Sequence, residues 1–510
     1  MVTQRFVTAR QLARLLPASP GPGPYYAALA DAVRGLVLDG QLPVRTRLPA
    51  ERDLAGALAV SRTTVTAAYD RLRGSGHLQS RQGAGSWVCL PESWSGRPGA
   101  ALVPDGTLID LGMAAPAPAP AGFASAVAAA TVELGRYTRG HGYEPAGLDE
   151  LRAAIAHRYR ARGLPTRPEQ IMVTNGAQQA FTLLISVLAG PGDALCAESP
   201  SFPHALDAAR VARLRLIPAG LGETGWDLDL FGAAMRQGAA RIAYVIADYH
   251  NPTGLLMDEA TRAGLVALAR QCGAYVIADE TWAELGMDPA AAPPAAPLAG
   301  EPAAVRPAAE PVAAGPGPGP GPAPVAAHDA DGRVLSIGSL SKICWGGLRV
   351  GWIRGPVPLI RRLVRARAAI DLASPVLEQL IAAELLAVIE EIRTERCAEL
   401  RERRDALAGA VSEHLPQWRF RVPPGGSSLW ARLPEPVSTD LAAAAERHGV
   451  RLVPGPAFGV DGTLERFVRL PFTLPPETLR AAVARLAAAY AAISGGISGG
   501  AAAAPPPACV

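Results

Sequence analysis

The chain is almost devoid of lysine. It has 49 basic residues among 510, and all of them except Lys342 are arginines. Arginine can replace lysine where only a positive charge is needed, but a guanidinium cannot condense with an aldehyde as a primary amine does. A lysine kept at a single position therefore indicates that chemistry at Lys342 requires an amine.

Paired cysteines and long apolar runs are also missing. The six cysteines are scattered, and no two of them have C-x-x-C spacing, which argues against a zinc site or a disulfide framework. The amino terminus lacks the apolar core of a signal peptide, and no apolar run is long enough to span a membrane. We therefore expect a cytoplasmic protein with no membrane partner and no bound metal.

Charge is distributed unevenly along the chain. Residues 1–90 contain 11 arginines and 5 acidic residues, a net charge of +6, whereas the other 420 contain 38 basic and 41 acidic residues, a net charge of −3. The length exceeds one ordinary core, so at least two domains are expected. The basic amino-terminal part predicts an anionic partner, although a solvated basic surface fits the charge equally well.

Residues 1–90 have the pattern of a small helical domain that ends in a hairpin. Apolar residues at helical spacing occupy 25–40, a short second helix follows Pro49, and a third begins after Ser61, a good N-cap residue. The stretch "HLQSRQGAGSWVCL" then predicts two strands around a glycine-rich turn. Three helices followed by a β-hairpin are typical of a winged helix-turn-helix.

The start of the third helix carries residues suited to DNA. Its hydroxyls and Arg62 could bond phosphates and guanine, although helix caps and surface polar residues explain the same pattern. The stretch "LPAERDLAGALAVSRTTVTAAYDRLRGSGHLQSRQGAGSWV" resembles the GntR superfamily of DNA-binding regulators over about residues 24–90. The resemblance implies DNA contacts by Arg52, Ser61, Arg62, Thr63, Thr64 and Thr66, and by Gln82 and Gly83 in the wing.

A Pro/Gly-rich linker over 91–107 separates this domain from the rest of the chain. From 108 to 491, apolar runs such as "QIMVT" and "IAYVIAD" alternate with amphipathic helical stretches, which predicts an α/β domain with a mainly parallel sheet. Residues 288–330 are almost entirely Ala, Pro and Gly, so they are expected to form a disordered insertion. A disordered tail is expected over 492–510.

Several motifs of the chain could form a site for an aldehyde cofactor around the lone lysine. A site for pyridoxal 5′-phosphate (PLP) needs an amine, an acid for the ring nitrogen, phosphate donors and a stacking surface. In "TNGAQQAF", Gly176 and Ala177 would open a helix whose backbone N–H groups cradle a phosphate. Phe202, Asn251 and Asp279 stand at or just after predicted strands. The stretch "SLSKICWGGLR" adds Ser339, Ser341 and Arg349 beside the amine.

Each of these motifs alone fits a turn, a core aromatic residue or a helix cap, but their order around a unique lysine favours a PLP site. Over nearly all of 108–485 the chain resembles the fold-type I aminotransferases. The resemblance implies a Schiff base at Lys342, an Asp279 partner for the ring nitrogen, an Asn251 bond to the 3′-oxygen and stacking by Phe202. It assigns the phosphate to Gly176, Ala177, Ser339, Ser341 and Arg349, and the substrate or effector to Tyr143 and Arg469.

One departure from that family lies beside the aspartate. A tyrosine usually follows the aspartate by two or three residues, where this chain has Thr281 and Trp282. The Trp282 N–H can donate a hydrogen bond, but it cannot accept one or ionise as tyrosine does. The unusual "KICWGG" stretch predicts that Trp345 shapes the mouth of the pocket.

A GntR-type domain joined to an aminotransferase-like domain resembles the MocR-type subfamily of GntR regulators. The resemblance implies a PLP-dependent transcription factor that binds double-stranded DNA and senses PLP or a small amino compound by aldimine exchange at Lys342. It also implies a head-to-tail homodimer in which each DNA-binding domain packs over the partner's large domain. The competing interpretation is a PLP-dependent aminotransferase with an appended DNA-binding domain. A third is a binding protein without PLP, against which the retained lysine argues.

Overall fold

The computed structural model describes residues 5–17, 23–81, 85–91, 108–118, 122–288 and 322–499, with only the backbone for 495–499. Two predicted wing contacts, Gln82 and Gly83, lie outside the described residues, as do positions 92–107 of the predicted linker. We call residues 5–91 the reader domain and residues 108–499 the large domain.

The reader domain is the predicted winged helix-turn-helix with a short strand and helix in front. The elements are β1 (Arg5–Phe6), α1 (Ala9–Leu15), α2 (Tyr25–Leu38), β2 (Thr46–Arg47), α3 (Glu51–Leu58), α4 (Arg62–Gly74), β3 (Leu78–Arg81) and β4 (Gly85–Val88). The strands β3 and β4 pair as the expected antiparallel hairpin. Helix α4 buries Val65, Ala68, Tyr69 and Leu72, whose spacing places them on one face of the helix toward the core.

The large domain alternates helices with short buried strands. Its first half contains β5 (Ile109–Asp110), α5 (Phe123–Tyr137), α6 (Asp149–Ala161), β6 (Ile171–Thr174), α7 (Ala177–Leu188), β7 (Ala194–Ser199), α8 (Pro203–Val211), β8 (Arg215–Gly222), β9 (Gly225–Trp226), α9 (Leu228–Gly238), β10 (Ala240–Val245), α10 (Glu259–Cys272) and β11 (Tyr275–Asp279). Its second half contains β12 (Val334–Ser339), β13 (Gly351–Arg354), α11 (Val357–Arg367), α12 (Val376–Ala387), α13 (Ile389–His414), β14 (Ser428–Arg432), α14 (Ser438–Arg447), β15 (Val450–Arg451), β16 (Val453–Pro454), β17 (Phe467–Pro471) and α15 (Pro476–Gly499).

The central sheet has eight strands in the order β6-β13-β12-β11-β10-β7-β8-β9. The pairings run β6, β12, β11, β10, β7 and β8 in one direction, with β13 and β9 reversed. Strands β6, β7 and β12 are buried at every residue, as expected for a sheet that helices cover on both faces. The predicted mainly parallel sheet is confirmed, and six strands end at the same edge.

Two segments predicted to be disordered contain residues that the structure describes as helical. Within 288–330, residues Val325–His328 form a 3-10 helix whose first two residues are buried against α10. Arg162 and Arg262 donate to the carbonyls of Pro322 and Ala323, so buried guanidinium groups anchor this part of the chain. In the tail, α15 continues through 492–499, although this stretch contains three glycines, which disfavour helix. The disorder prediction is wrong for these two stretches, and 289–321 and 500–510 lie outside the described residues.

The reader domain packs on the large domain of the same chain. The Phe6 N–H donates to Gln237 Oε1 at 2.8 Å, and Arg14 pairs with Asp229 at 3.0 Å. The head-to-tail exchange of reader domains between two chains stays a prediction.

Candidate functional site

The predicted cofactor residues gather where the parallel strands end. Asp279 is the last residue of β11. The segments that carry Gly176, Phe202, Asn251 and Lys342 follow the ends of β6, β7, β10 and β12 respectively. Because these strands run in one direction, their carboxyl ends meet at one edge of the sheet, the usual position for ligands in α/β folds. The sheet topology therefore explains why residues far apart in sequence share one pocket.

The amine of Lys342 lies between a carbonyl and an aromatic ring. Its Nζ donates to the carbonyl of Ala114 at 2.9 Å and stands 4.9 Å from the centroid of the Trp282 ring. Burial, followed by the positive charge of Arg469, lowers the pKa of Lys342 to about 8. A larger fraction of the amine is therefore in the neutral, nucleophilic form near neutral pH than for a surface lysine.

Asp279 is held at both carboxylate oxygens. Its Oδ2 accepts from the Tyr244 hydroxyl at 2.8 Å, and its Oδ1 accepts from the Thr281 N–H at 3.0 Å and the Thr281 hydroxyl at 2.5 Å. Burial raises the pKa of Asp279, whereas these hydrogen bonds and the charge of Lys342 oppose that rise. A fixed, buried carboxylate of this kind suits the protonated nitrogen of a pyridine ring.

Tyr244 was not among the predicted site residues. It lies on β10 and pairs with Ile277 of β11, so its ring comes beside the strand that ends at Asp279. The available signal was a polar residue inside the apolar run "IAYVIAD". Thr281, one of the residues in place of the usual tyrosine, bonds Asp279, and Trp282 packs near the lysine amine.

The phosphate cradle brings a glycine against an arginine. Gly176 has φ +83°, and a Cβ added there would lie 2.6 Å from Arg349 Nη2. The same nitrogen donates to the carbonyl of Asn175 at 3.1 Å. Ala177 begins α7, so the first N–H groups of that helix face this region without intrahelical acceptors. Only glycine admits the guanidinium this close, which fits a phosphate-binding turn.

The two predicted serines form a small hydrogen-bonded unit next to the lysine. The Ser339 hydroxyl lies 2.8 Å from the Ser341 hydroxyl and donates to the carbonyl of Val350 at 3.0 Å, and it accepts from the Ser341 N–H at 3.1 Å. Ser339 is buried and Ser341 is half-buried. Ser339 therefore orients Ser341, whose more accessible hydroxyl can reach a phosphate oxygen.

Arg469 is a buried cation next to the lysine. Its side chain packs over the Phe458 ring at 4.9 Å, Nη1 donates to Asn251 Oδ1 at 3.4 Å, and Nη2 donates to the carbonyl of Gly112. Its Nε is buried without a hydrogen-bond partner among the described residues. Burial lowers the pKa of Arg469 to about 10. A buried cation with an unused donor is costly unless an anion joins it.

Two further predicted residues lie at the surface. Tyr143 is exposed, and its ring stacks on His141 at 5.6 Å, so the described contacts do not bring it to Lys342. Trp345 is also exposed, and its ring meets the edge of Phe123 at the start of α5 at 5.6 Å. The roles of Tyr143 with an effector and of Trp345 at the pocket mouth stay predictions.

The predicted DNA residues divide into exposed arginines and hydroxyls used within the reader domain. The Arg52 and Arg62 side chains are 82% and 73% exposed. Ser61 caps α4 by accepting from the Thr64 N–H at 3.1 Å, as predicted, and its hydroxyl lies 2.7 Å from that of Thr63. Thr66 donates to Glu51 at 2.7 Å. The arginines are therefore the groups presented to an external partner.

The residues at the sheet edge fit PLP. A glycine–arginine cradle suits the phosphate, a fixed carboxylate suits the ring nitrogen, and a lysine with a lowered pKa suits the aldehyde. Together with the winged helix-turn-helix, the site defines a DNA-binding protein built around a Schiff-base cofactor domain.

Comparisons with known proteins agree with that class. Residues 118–486 match the model of aminotransferase class I and II, and residues 25–88 match that of bacterial regulatory proteins of the gntR family. The chain is 27% identical to the uncharacterized HTH-type transcriptional regulator YisV of Bacillus subtilis, covering 91% of this chain and 95% of YisV. It is 26% identical to the probable rhizopine catabolism regulatory protein MocR of Rhizobium meliloti, covering 95% of this chain and 98% of MocR.

The large domain also resembles solved enzymes. The α-aminoadipate aminotransferase of Thermus thermophilus, complexed with N-(5′-phosphopyridoxyl)-L-leucine, superposes with a TM-score of 0.65 at 27% identity, covering 76% of this chain and 93% of that one. The chain belongs to the aminotransferase class I and II family and, through its GntR-type reader domain, to the MocR-type regulators. It is a PLP-dependent, DNA-binding transcriptional regulator.

Proposed function

We propose that this regulator senses a small primary amine that carries a carboxylate and changes its DNA binding in response. The observation that supports this most directly is Arg469, which is buried beside Lys342 with an unpartnered Nε among the described residues. An amino acid or a similar compound would present its amine to the cofactor and its carboxylate to this guanidinium. PLP itself, as a ligand of the same pocket, is the other candidate effector.

Different residues of the pocket would bind different parts of the cofactor and the effector. Bound PLP supplies an aldehyde for which Lys342 and an effector amine compete. Asp279 would hold the ring nitrogen, with its orientation fixed by Tyr244 and Thr281. Phosphate contacts are proposed for Gly176, Ala177, Ser339, Ser341 and Arg349, a 3′-oxygen contact for Asn251, and ring stacking for Phe202. Arg469 would bind the effector carboxylate.

The reader domain would bind the major groove through the start of α4. Arg52 and Arg62 reach into solvent, so contact with bases or phosphates costs them little reorganisation. No helix in the described part of the chain is long and apolar enough to cross a membrane. Since its partner is DNA, we place the protein in the cytoplasm. The proposed assembly is a head-to-tail homodimer, in which the contacts between the reader domain and the large domain would form between the two chains.

The experiment is a binding titration with a fluorescent duplex from the region upstream of the protein's own gene. We expect PLP-loaded and PLP-free protein to bind that duplex with different affinities, and an amino acid panel to shift the affinity of the loaded form. Affinity should also fall steeply with salt, because phosphate contacts release counterions. Equal affinities with and without PLP and with every amino acid tested would contradict the sensor function.

The competing function is transamination. The aminotransferase-type cofactor residues are present, which favours some turnover, but Trp282 stands where the family usually has a hydrogen-bonding tyrosine. Mixing PLP-loaded protein with single amino acids and following conversion to pyridoxamine phosphate separates the two functions. We expect conversion to be slow compared with the effect of the same amino acids on DNA binding. Rapid turnover without any change in DNA binding would support the enzyme.

A further inference from the structure

One segment of the large domain contacts the pocket and the reader domain at once. We call residues 455–467, from the end of β16 to the first residue of β17, the junction segment. The segment carries none of the predicted site residues. It is a compact turn, because a Cβ added at Gly455 would lie only 2.0 Å from the Leu464 carbonyl oxygen. Because the segment is closely packed, a displacement at one end is transmitted to the rest of the segment.

On the pocket side, the junction segment contacts both Arg469, the proposed effector-binding residue, and the loop that carries Phe202. The Phe458 ring lies under the Arg469 guanidinium, with 4.9 Å from Cζ to the ring centroid. The Phe458 carbonyl accepts from the Ser201 N–H at 2.8 Å, immediately before the proposed stacking residue Phe202. A movement of Arg469 or of the loop that carries Phe202 therefore changes a direct contact of Phe458.

Inside, the junction segment contains its own small hydrophobic cluster. Phe458, Leu464 and Phe467 are buried together, apart from the cores of the large domain and the reader domain. Trp430 stacks on Phe467 at 5.2 Å and meets the Phe458 ring edge-on at 5.5 Å. Leu464 has φ +76°, a conformation in which a branched residue is held only by its surroundings. This cluster links the two ends of the segment.

On the reader side, the junction segment bonds to the turn that follows α2. The Leu464 N–H donates to the Leu38 carbonyl at 2.8 Å, and the Val44 N–H donates to Asp461 Oδ2 at 2.9 Å. Between these bonds lies Gly40, where an added Cβ would be 3.1 Å from Leu464 Cδ2. The turn over 38–44 thus fits closely against the segment, and a small displacement changes both hydrogen bonds.

We propose that the junction segment couples the occupancy of Arg469 to the position of the reader domain. This inference rests on the proposed sensor function. A carboxylate bound by Arg469 draws the guanidinium away from its contacts with Phe458 and Asn251. The cluster repacks, and the bonds to Leu38 and Val44 change with it. Because the two sites bias the same element, DNA bound by the reader domain changes effector affinity in return.

The test compares two cofactor forms that differ only by a carboxymethyl group. Full-length protein is loaded either with pyridoxamine 5′-phosphate or with N-(5′-phosphopyridoxyl)glycine, which adds a carboxymethyl group and no side chain. Hydrogen exchange is then measured at the Leu464 and Val44 amides. We expect exchange at both amides to differ between the two complexes by about fivefold or more, the lower end of typical allosteric coupling. Identical exchange with both ligands bound would overturn the proposal.

Asp461→Asn separates coupling from general destabilisation. The variant weakens the acceptor of the Val44 N–H, so the Val44 response is expected to shrink while the Leu464 response remains. Asp229→Asn is the matched control, because it weakens the Arg14 ion pair across the same domain interface without touching the junction segment. Equal responses in the two variants would contradict a route through Asp461. The wild-type comparison does not depend on either variant.

Failure of this inference can be told apart from failure of the proposed function. If neither phosphopyridoxyl compound binds, the cofactor site itself is wrong and the coupling proposal falls with it. If both bind and DNA affinity responds to amino acids while the Leu464 and Val44 amides do not, the sensor function stands and the junction segment is not the coupling element.

Discussion

The proposed ligand sites of the two domains use arginine in opposite ways. In the reader domain, Arg52 and Arg62 are 82% and 73% exposed and approach the neighbouring carboxylates of Asp53 and Glu51 only at 3.3 and 3.7 Å. In the large domain, Arg469 is 5% exposed and forms no ion pair in the part of the chain that the structure describes. The reader domain has exposed cations on its surface, and the pocket of the large domain has a buried cation.

This difference indicates how each domain recognises its ligand. A hydrated arginine exchanges water and counterions for phosphate, so its contribution depends on salt and on many similar contacts. A buried guanidinium has already lost its water, so one anion of the right shape and position stabilises it strongly. Salt should therefore weaken DNA binding far more than effector binding.

The largest expected effect is at the lysine. Lys342→Ala removes the only side-chain amine in the chain, so added PLP should give no visible absorbance from a Schiff base with the protein. Lys342→Arg is the control, since it keeps a positive charge but cannot condense with the aldehyde, and it should also be colourless. Visible absorbance in the alanine variant equal to that of wild type would show that Lys342 does not bind PLP covalently.

The next largest effect is at the start of α4, which is the proposed DNA-binding helix. Arg62→Ala should weaken binding to the upstream duplex by roughly 5- to 150-fold, the range for loss of a bidentate base contact. Arg71→Ala removes the same charge from the last turn of the same helix and should have a clearly smaller effect. Fluorescence anisotropy at one fixed salt concentration compares the two variants. Equal losses of DNA affinity in the two variants would mean that Arg62 contributes only its charge to binding.

How much could be predicted from the sequence depends on whether the signal is local, and not on the domain in which it lies. Strand direction alone brings Asp279 and Lys342 to one edge, and each follows an apolar run that is readable by eye. Likewise, the N-cap at Ser61 follows from local pattern. Motifs with a local signal were therefore found, whether they belong to the reader domain or to the pocket.

Residues that depend on packing between distant segments could not be predicted. Tyr244 reaches Asp279 only through the pairing of β10 with β11, and Phe458 reaches Arg469 only once the junction segment folds back. The sequence does not distinguish Leu464 from other core leucines, because its backbone hydrogen bond to Leu38 forms only in the folded structure. The helix Val325–His328 could not be predicted from composition either, since the burial of Val325 depends on its packing against α10.

A smaller effect concerns the pH dependence of cofactor capture. The Lys342 amine must lose its proton to attack PLP, so the capture rate should rise with pH through the lowered pKa of about 8. Arg469→Gln removes a positive charge that lowers this pKa, so the midpoint should move to higher pH. Arg469→Lys keeps the charge and should stay nearer to wild type. Stopped-flow absorbance measures the rates, and an unmoved midpoint in the glutamine variant would contradict electrostatic coupling between the two cations.

The smallest expected effect separates helix capping from DNA contact at Ser61. Ser61→Ala removes the acceptor of the Thr64 N–H, which typically costs ~1 kcal/mol, so exchange of the first α4 amides should rise about fivefold. Ser61→Asp keeps an N-cap acceptor and should leave that exchange near wild type, but its charge should repel DNA phosphate and weaken binding. If the aspartate variant binds the duplex as wild type does, Ser61 is a helix cap that lies away from the DNA phosphates.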